Sequence, residues 1–267
     1  MKTKLVLIKF GGSLITNKQK AYTPNTKIIK DLVRQIKEAL TEDKNLSLII
    51  GNGGGSFAHY PAVKYKMQNG IKTNQQKYGF CQVQDGAASL NRIIVKELLD
   101  NGVKACSLQP SSMIVCEGGK VKSFFMESLI ALLKLKIVPV LYGDIVLDKS
   151  FGSYILSTEE LLTEISVRLK KSNIKPYLVI HNGLTQGVMD EQGKLISSIN
   201  QAKYEQLGKI FYQTKGYDVT GGMLHKVKEC LNLSKFGIKS LIINGTARKN
   251  LLKKAILGQE TLGTIIE

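Results

Sequence analysis

The chain has 267 residues, 43% hydrophobic and 22% charged, a composition that excludes disordered and fibrous classes. The length suits one large α/β domain or two lobes sharing a sheet, and no apolar run approaches the ~18 residues of a membrane span. The 38 lysine and arginine residues outweigh 21 aspartate and glutamate residues by +17, but they are dispersed, which speaks against a nucleic-acid groove and leaves a solvated basic surface or attraction for a small polyanion.

In chain order, "LVLIKF" (5–10) predicts a first buried strand; its basic approach is that of a signal peptide, but no small-residue cleavage site follows. "TKIIKDLVRQIKEAL" (26–40) has apolar residues at helical spacing, "LSLII" (46–50) is a second strand, and "LNRIIVKELLDNG" (90–102) a second helix closed by Asn-Gly. The stretch 65–80, with Met67, Ile71, Tyr78 and Phe80, reads as core packing, a mobile hairpin or a cover over an apolar ligand. "KACSLQP" predicts a strand, "SSMIVCEGGKVKSF" a hairpin around residues 117–120, "MESLIALLKLK" a helix, and "IVPVLYGDIVLD" (137–148) two strands around Gly143.

The alternation then repeats. "STEELLTEISVRLKKS" (157–172) is a helix capped at Ser157 with a glutamate three residues on, a capping-box pattern. "PYLVIHNG" is a strand, "GGMLHKVKECLNLSKFG" (221–237) a helix, "KSLIINGTA" a strand with a turn, and "TLGTIIE" a closing strand. The expected fold is α/β, a mostly parallel central sheet sandwiched between helices, in two lobes of residues 1–150 and 151–267 that part near "KSFGS" (149–153). Cys81, Cys106, Cys116 and Cys230 are scattered with no Cys-x-x-Cys pair, which predicts free thiols, no metal site and a cytoplasmic protein.

Three strands end in glycine: "KFGGS" (9–13), "GNGGGSF" (51–57) and "LYGD" (141–144). Ligands of open parallel sheets bind at such ends, where glycine lets backbone N–H groups approach an anion. With "DVTGGMLHK" (218–226) they predict phosphate handling, although neither a GxxxxGK[ST] loop nor a dinucleotide fingerprint is present.

"IKFGGSLITNK", "GGGSFAHYPAVKY", "VPVLYGDIVLD" and "DVTGGMLHKVKECL" together resemble the amino acid kinase superfamily and, within it, the isopentenyl phosphate kinases, nearly end to end. The resemblance implies transfer of the γ-phosphate of ATP, with Mg2+, to isopentenyl phosphate in isoprenoid biosynthesis. It also implies an N-terminal acceptor lobe, a C-terminal nucleotide lobe and a homodimer; the dispersed charge and short apolar runs predict no nucleic-acid or membrane partner. By motif position, Lys9 meets the transferring phosphate, and Gly11, Gly12 and Ser13 surround the ATP phosphates. Lys18 stabilises the transition state, Gly54 and Gly55 line the junction of the two phosphates, and His59 and Gly143 contact the acceptor phosphate. Gly221, Gly222 and Lys226 hold ATP from the other lobe, while His181 has no such context and His225 is a neighbour of the site.

Three positions and one segment depart from the family pattern: Ala58 replaces a glycine, Asn52 a histidine, Glu159 an aspartate that organises the phosphate-binding lysines, and "GLTQG" (183–187) the usual TDVDG. The last two bear on how the nucleotide is gripped. Two other functions fit the same residues: a kinase for another phosphate monoester or a phosphonate, as in fosfomycin kinases, and a non-catalytic nucleotide-binding protein.

Overall fold

The computed structural model describes residues 4–211, 221–246 and 250–267. Its elements begin with β1 (Lys4–Phe10), α1 (Gly12–Ile15), α2 (Thr26–Glu42), β2 (Leu46–Asn52), α3 (Gly55–Lys64) and α4 (Asn74–Asp100). Next come β3 (Ala105–Ser107), β4 (Ile114–Glu117), β5 (Lys120–Phe124), α5 (Glu127–Lys134), β6 (Val138–Tyr142), β7 (Asp144–Asp148) and β8 (Gly152–Leu156). The remainder are α6 (Thr158–Lys171), β9 (Leu178–Gly183), β10 (Val188–Met189), β11 (Leu195–Ile196), β12 (Ser198–Ile199), α7 (Gln201–Phe211), α8 (Gly221–Ser234), β13 (Lys239–Asn244), α9 (Leu251–Leu257) and β14 (Thr264–Ile266).

Eight strands form one sheet in the order β12-β14-β13-β9-β1-β2-β6-β3. All neighbours run parallel except β13 and β14. The central strands are nearly continuous apolar runs because both of their faces are covered. Period-two alternation sends Val6, Ile8 and Phe10 of β1 toward α2, α4 and α9, and Leu5 and Leu7 toward α5, α6 and α8. Lys9 therefore belongs to the α6 face. β9 pairs directly with β1, so strands from both halves of the sequence share one ladder. Residues 149–151 connect β7 to β8, and 152–153 open β8 itself.

A second sheet, β5-β4-β7-β8, branches from the first at Gly143, which separates β6 from β7. The predicted pair of strands is present, but the two lie in different sheets. Asp148, buried at the end of β7, ties two hairpins together. Its carboxylate accepts the amides of Gly118 (3.3 Å), Gly119 (2.8 Å), Ser150 (2.8 Å) and Phe151 (2.9 Å).

The helix predicted over 90–102 is only the second half of α4, which starts at Asn74 behind a Thr73–Gln76 capping box. Gly79 and Gly86 interrupt the apolar pattern of its first half, and packing explains both. A Cβ on Gly79 would lie 2.4 Å from the Tyr65 Cβ, and one on Gly86 would lie 2.3 Å from the Phe57 carbonyl oxygen. The 65–80 stretch is thus no mobile hairpin: Met67 is buried with Ala62, Val83 and Ile145, Phe80 packs against them, and Tyr78 stands exposed, edge-on to Tyr65. The four cysteines are free, and no described helix is long and apolar enough to cross a membrane.

Removing the Asp148 carboxylate leaves four amides without their acceptor. Asp148→Ala is expected to lose about 2 kcal/mol in denaturant unfolding at neutral pH. Burial pushes the Asp148 carboxyl up, but the four amides outweigh it and hold its pKa below the ordinary 3.8. Its contribution is therefore complete above 3.8 and fades as pH falls through its lower folded value, and the gap between the two proteins closes there.

Candidate active site

The parallel strands β1, β2, β6, β9 and β13 end along one edge, where Phe10 lies beside Asn52 and Asn182, Asn52 beside Tyr142, and Asn182 beside Ile243. Past that edge the chain turns into α1 and α3 through glycines, stitched together by backbone bonds. Gly53 N–H donates to the Phe10 carbonyl (2.8 Å), Gly11 N–H to Asn182 (2.8 Å) and Gly143 N–H to Asn52 (2.9 Å). The two loops touch main chain to main chain. A Cβ on Gly12 would lie 2.5 Å from the Gly55 nitrogen, and one on Gly53 would lie 2.7 Å from the Gly12 nitrogen.

Gly55 has φ +48°, and a Cβ there would collide with the Thr16 hydroxyl at 2.3 Å. That hydroxyl donates to the Gly12 carbonyl (2.7 Å) and accepts the Ser56 amide (3.0 Å), pinning the starts of α1 and α3 to each other. Helix starts leave their first amides without intrahelical acceptors. Among the described residues, no acceptor takes those of Gly12, Ser13, Gly54 or Gly55. The seam is a line of unpaired donors suited to anionic oxygen.

On the α6 face of this seam, Lys9 pairs with Glu159 in the first turn of α6; both side chains are nearly buried. His181 lies beside Lys9 in the β1–β9 register, is 2% exposed, and neither ring nitrogen has a partner among the described residues. Lys226 of α8 reaches the end of β9, its Nζ 3.9 Å from where a Gly183 Cβ would stand. Burial alone would raise the Glu159 carboxyl, but the Lys9 ammonium prevails, helped by His181 and Lys226, and holds it at about 2. Burial pushes His181 down to about 3; Glu159 opposes this, and Lys9 and Lys226 reinforce it. Lys226 is also lowered, by burial and then by Lys9.

On the other side, His59 stands on the solvent face of α3, and its imidazole titrates below its ordinary value because of partial burial and the nearby Lys18 ammonium. Lys18 is itself exposed, in the turn after α1. Beneath the seam Asn52 is fully buried: its side-chain oxygen accepts from Asn91 (3.0 Å), whose own oxygen accepts from Ser107 (2.6 Å). The Asn52 carbonyl accepts the Thr158 hydroxyl (2.9 Å), and a Cβ on Gly143 would meet that hydroxyl at 2.8 Å.

Residues 4–244 match the model of the amino acid kinase family. The chain is 31% identical to the isopentenyl phosphate kinase of Methanothermobacter thermautotrophicus over 98% of both chains, and equally identical, with the same coverage, to that of Methanocaldococcus jannaschii. This chain belongs to the amino acid kinase family. Within it, the chain groups with the isopentenyl phosphate kinases. A solved isopentenyl phosphate kinase structure superposes with a TM-score of 0.82 at 27% identity, covering 98% of this chain and 100% of that one.

The kinase fold brings most of the sequence-derived candidates to one edge. Lys9, Gly11, Gly12, Ser13, Gly54, Gly55, Gly143 and Lys226 gather along the seam, and Lys18 and His59 flank it. Gly221 and Gly222 open α8; residues 218–220 of the same motif and the His225 side chain lie outside the described residues. Ala58 is accommodated because position 54 is glycine, where a Cβ would stand 2.4 Å from the Ala58 Cβ.

The sequence reading passed over His181, Thr16, Thr158 and Asn91. His181 carried a signal, a titratable residue on an otherwise apolar strand and, by alternation, on the same face as Lys9. Asn91 carried none, since only the packing of α4 on β2 brings it to Asn52.

Glu159→Gln would leave the nearly buried Lys9 ammonium without its counter-charge. Breaking a buried pair from one side costs about 3 kcal/mol, a loss expected in urea unfolding at pH ~7. Because Glu159 is held at about 2 against an ordinary 4.5, its contribution is complete above 4.5 and is lost as pH falls toward 2, where the two proteins converge.

Proposed function

We propose that this kinase transfers the γ-phosphate of ATP to isopentenyl phosphate, giving isopentenyl diphosphate. The observation that carries the reading is the seam of unpaired glycine amides with Lys9 and Lys226 on one flank and Lys18 and His59 on the other. Two phosphates that must meet end to end need this kind of setting: fixed donors and cations on both sides, and main chain close enough to touch.

The acceptor oxygen is already anionic near neutral pH, since a phosphate monoester loses its second proton at about 6. No general base is needed. The nearby carboxylates are accordingly committed elsewhere: Glu159 to Lys9, and Asp144 to the amides of Ser111 (3.0 Å) and Ile145 (2.9 Å). In this reading Lys9, Lys226 and the amides of Gly12 and Ser13 hold ATP, with Gly221 and Gly222 at the start of α8; the Gly11 N–H is instead engaged by the Asn182 carbonyl, and Gly11 contributes only the close turn. His59 takes the acceptor phosphate with Gly143 beside it, the Gly143 N–H being engaged by the Asn52 carbonyl; Gly54 and Gly55 line the junction, and Lys18 offsets charge in the transition state. Beside His59, Ala58 and Phe80 against Ala62, Met67, Val83 and Ile145 give the apolar tail a wall.

Among the described residues no group of three or more His, Cys, Asp or Glu side chains could cage a metal. A magnesium ion would then be held mainly by the ATP phosphates themselves rather than by side chains of this chain. When bound, the ion neutralises phosphate charge. Residues 1–150 form the acceptor lobe and 151–267 the nucleotide lobe of a cytoplasmic homodimer.

The test is ADP release with ATP, Mg2+ and isopentenyl phosphate. Turnover is expected, with kcat/KM falling about 100-fold in both Lys18→Ala and His59→Ala. Turnover with a phosphonate but not with isopentenyl phosphate would move the acceptor assignment. ATP binding without turnover on either would leave a nucleotide-binding protein.

A further inference from the structure

Resting on the reading of Lys9 and Lys226 as nucleotide-phosphate ligands, we propose that His181 is a third, buried phosphate-responsive group whose neutral imidazole takes up a proton when the nucleotide binds. The imidazole is almost fully buried beneath the phosphate edge, yet both of its ring nitrogens lack partners among the described residues. A histidine kept only for packing normally has its N–H satisfied, because burying an unpaired donor is costly. The ring is also aligned with the site. It lies one strand over from Lys9 in register, two residues before the end of β9, on the face where α6 and α8 bring Glu159 and Lys226.

Charges facing His181 come from three elements: Lys9 on β1, Glu159 on α6 and Lys226 on α8, while β13 contributes only the apolar Ile242. Two ammonium groups against one carboxylate leave a net positive surrounding, and this field adds to burial in keeping the imidazole neutral. A nucleotide diphosphate or triphosphate brings several negative charges to the same cations and reverses the sign of that field. The favoured state of His181 is then imidazolium. The proton comes from solvent to the ring nitrogen that lacks one, and no other bond changes. The product is a third cation under the phosphates, one that exists only while they are bound. It ties nucleotide affinity to pH, and nucleotide departure to loss of the proton.

The chain has three histidines, so their imidazole signals can be assigned in histidine-labelled protein by their loss in His59→Gln and His225→Gln. Without nucleotide, the His181 signal is expected to stay at the neutral position across about pH 5–8. With saturating ADP it is expected to move to the imidazolium position toward the acid end, with net proton uptake on binding that is lost in His181→Gln. A His181 signal that stays neutral in the ADP complex overturns the proposal for His181 alone. Failure of the unsubstituted protein to bind ADP overturns the phosphate reading of Lys9 and Lys226, and this proposal with it. The resonance test uses the unsubstituted chain, so it decides even if His181→Gln does not fold.

Discussion

The site depends on a steric fact: two loops must touch through their main chains. At the ends of β1 and β2, the turns into α1 and α3 come so close that a single methyl group on Gly12 or Gly53 would enter the opposite backbone. No rotamer can relieve a clash at Cβ, so the absence of side chains is a geometric requirement there. The closeness has a chemical consequence. Unpaired amides of two helix starts are brought close together, and anionic oxygen is the natural complement to such a concentration of N–H groups. Thr16 keeps the arrangement from drifting, since one hydroxyl bonds to both loops.

Charge is arranged on the same edge by strand periodicity. Alternation along β1 sends Lys9 to the α6 face, and the register of β9 sets His181 beside it. The first turn of α6 supplies Glu159, which keeps Lys9 compensated in the nearly dry interior. The cluster is thus a set of cations held ready by one acidic partner. Phosphoryl transfer between two phosphates asks for neutralisation and alignment more than for proton abstraction. The residues present match that demand: lysines, amides and a histidine, with each nearby carboxylate engaged in holding structure.

Where the structure departs from the local sequence pattern, packing is the cause. The first half of α4 is not read as a helix because Gly79 and Gly86 weaken the helical pattern, yet Gly86 lets α3 lie against it and Gly79 makes room for Tyr65 and Met67 just beyond α3. The pair of strands around Gly143 was legible as a pair, but nothing local says that the chain changes sheets there. His181 looked like a histidine without context, because its context comes from β1, α6 and α8, all distant in sequence.

What the sequence by itself determined was the alternation of strands and helices, the capping of α6, the glycine-bearing strand ends and the identity of the kinase motifs. These are local: periodicity, caps and turns act over a few residues, and a motif is a property of order. What only the tertiary structure decided was which strand ends share an edge, that Gly12 and Gly53–Gly55 meet, that Asn91 buttresses Asn52, and that Lys9, Glu159, Lys226 and His181 form one cluster. Those facts depend on contacts between residues tens to hundreds of positions apart. Their geometry follows from sheet order and helix packing, which no short stretch of sequence encodes.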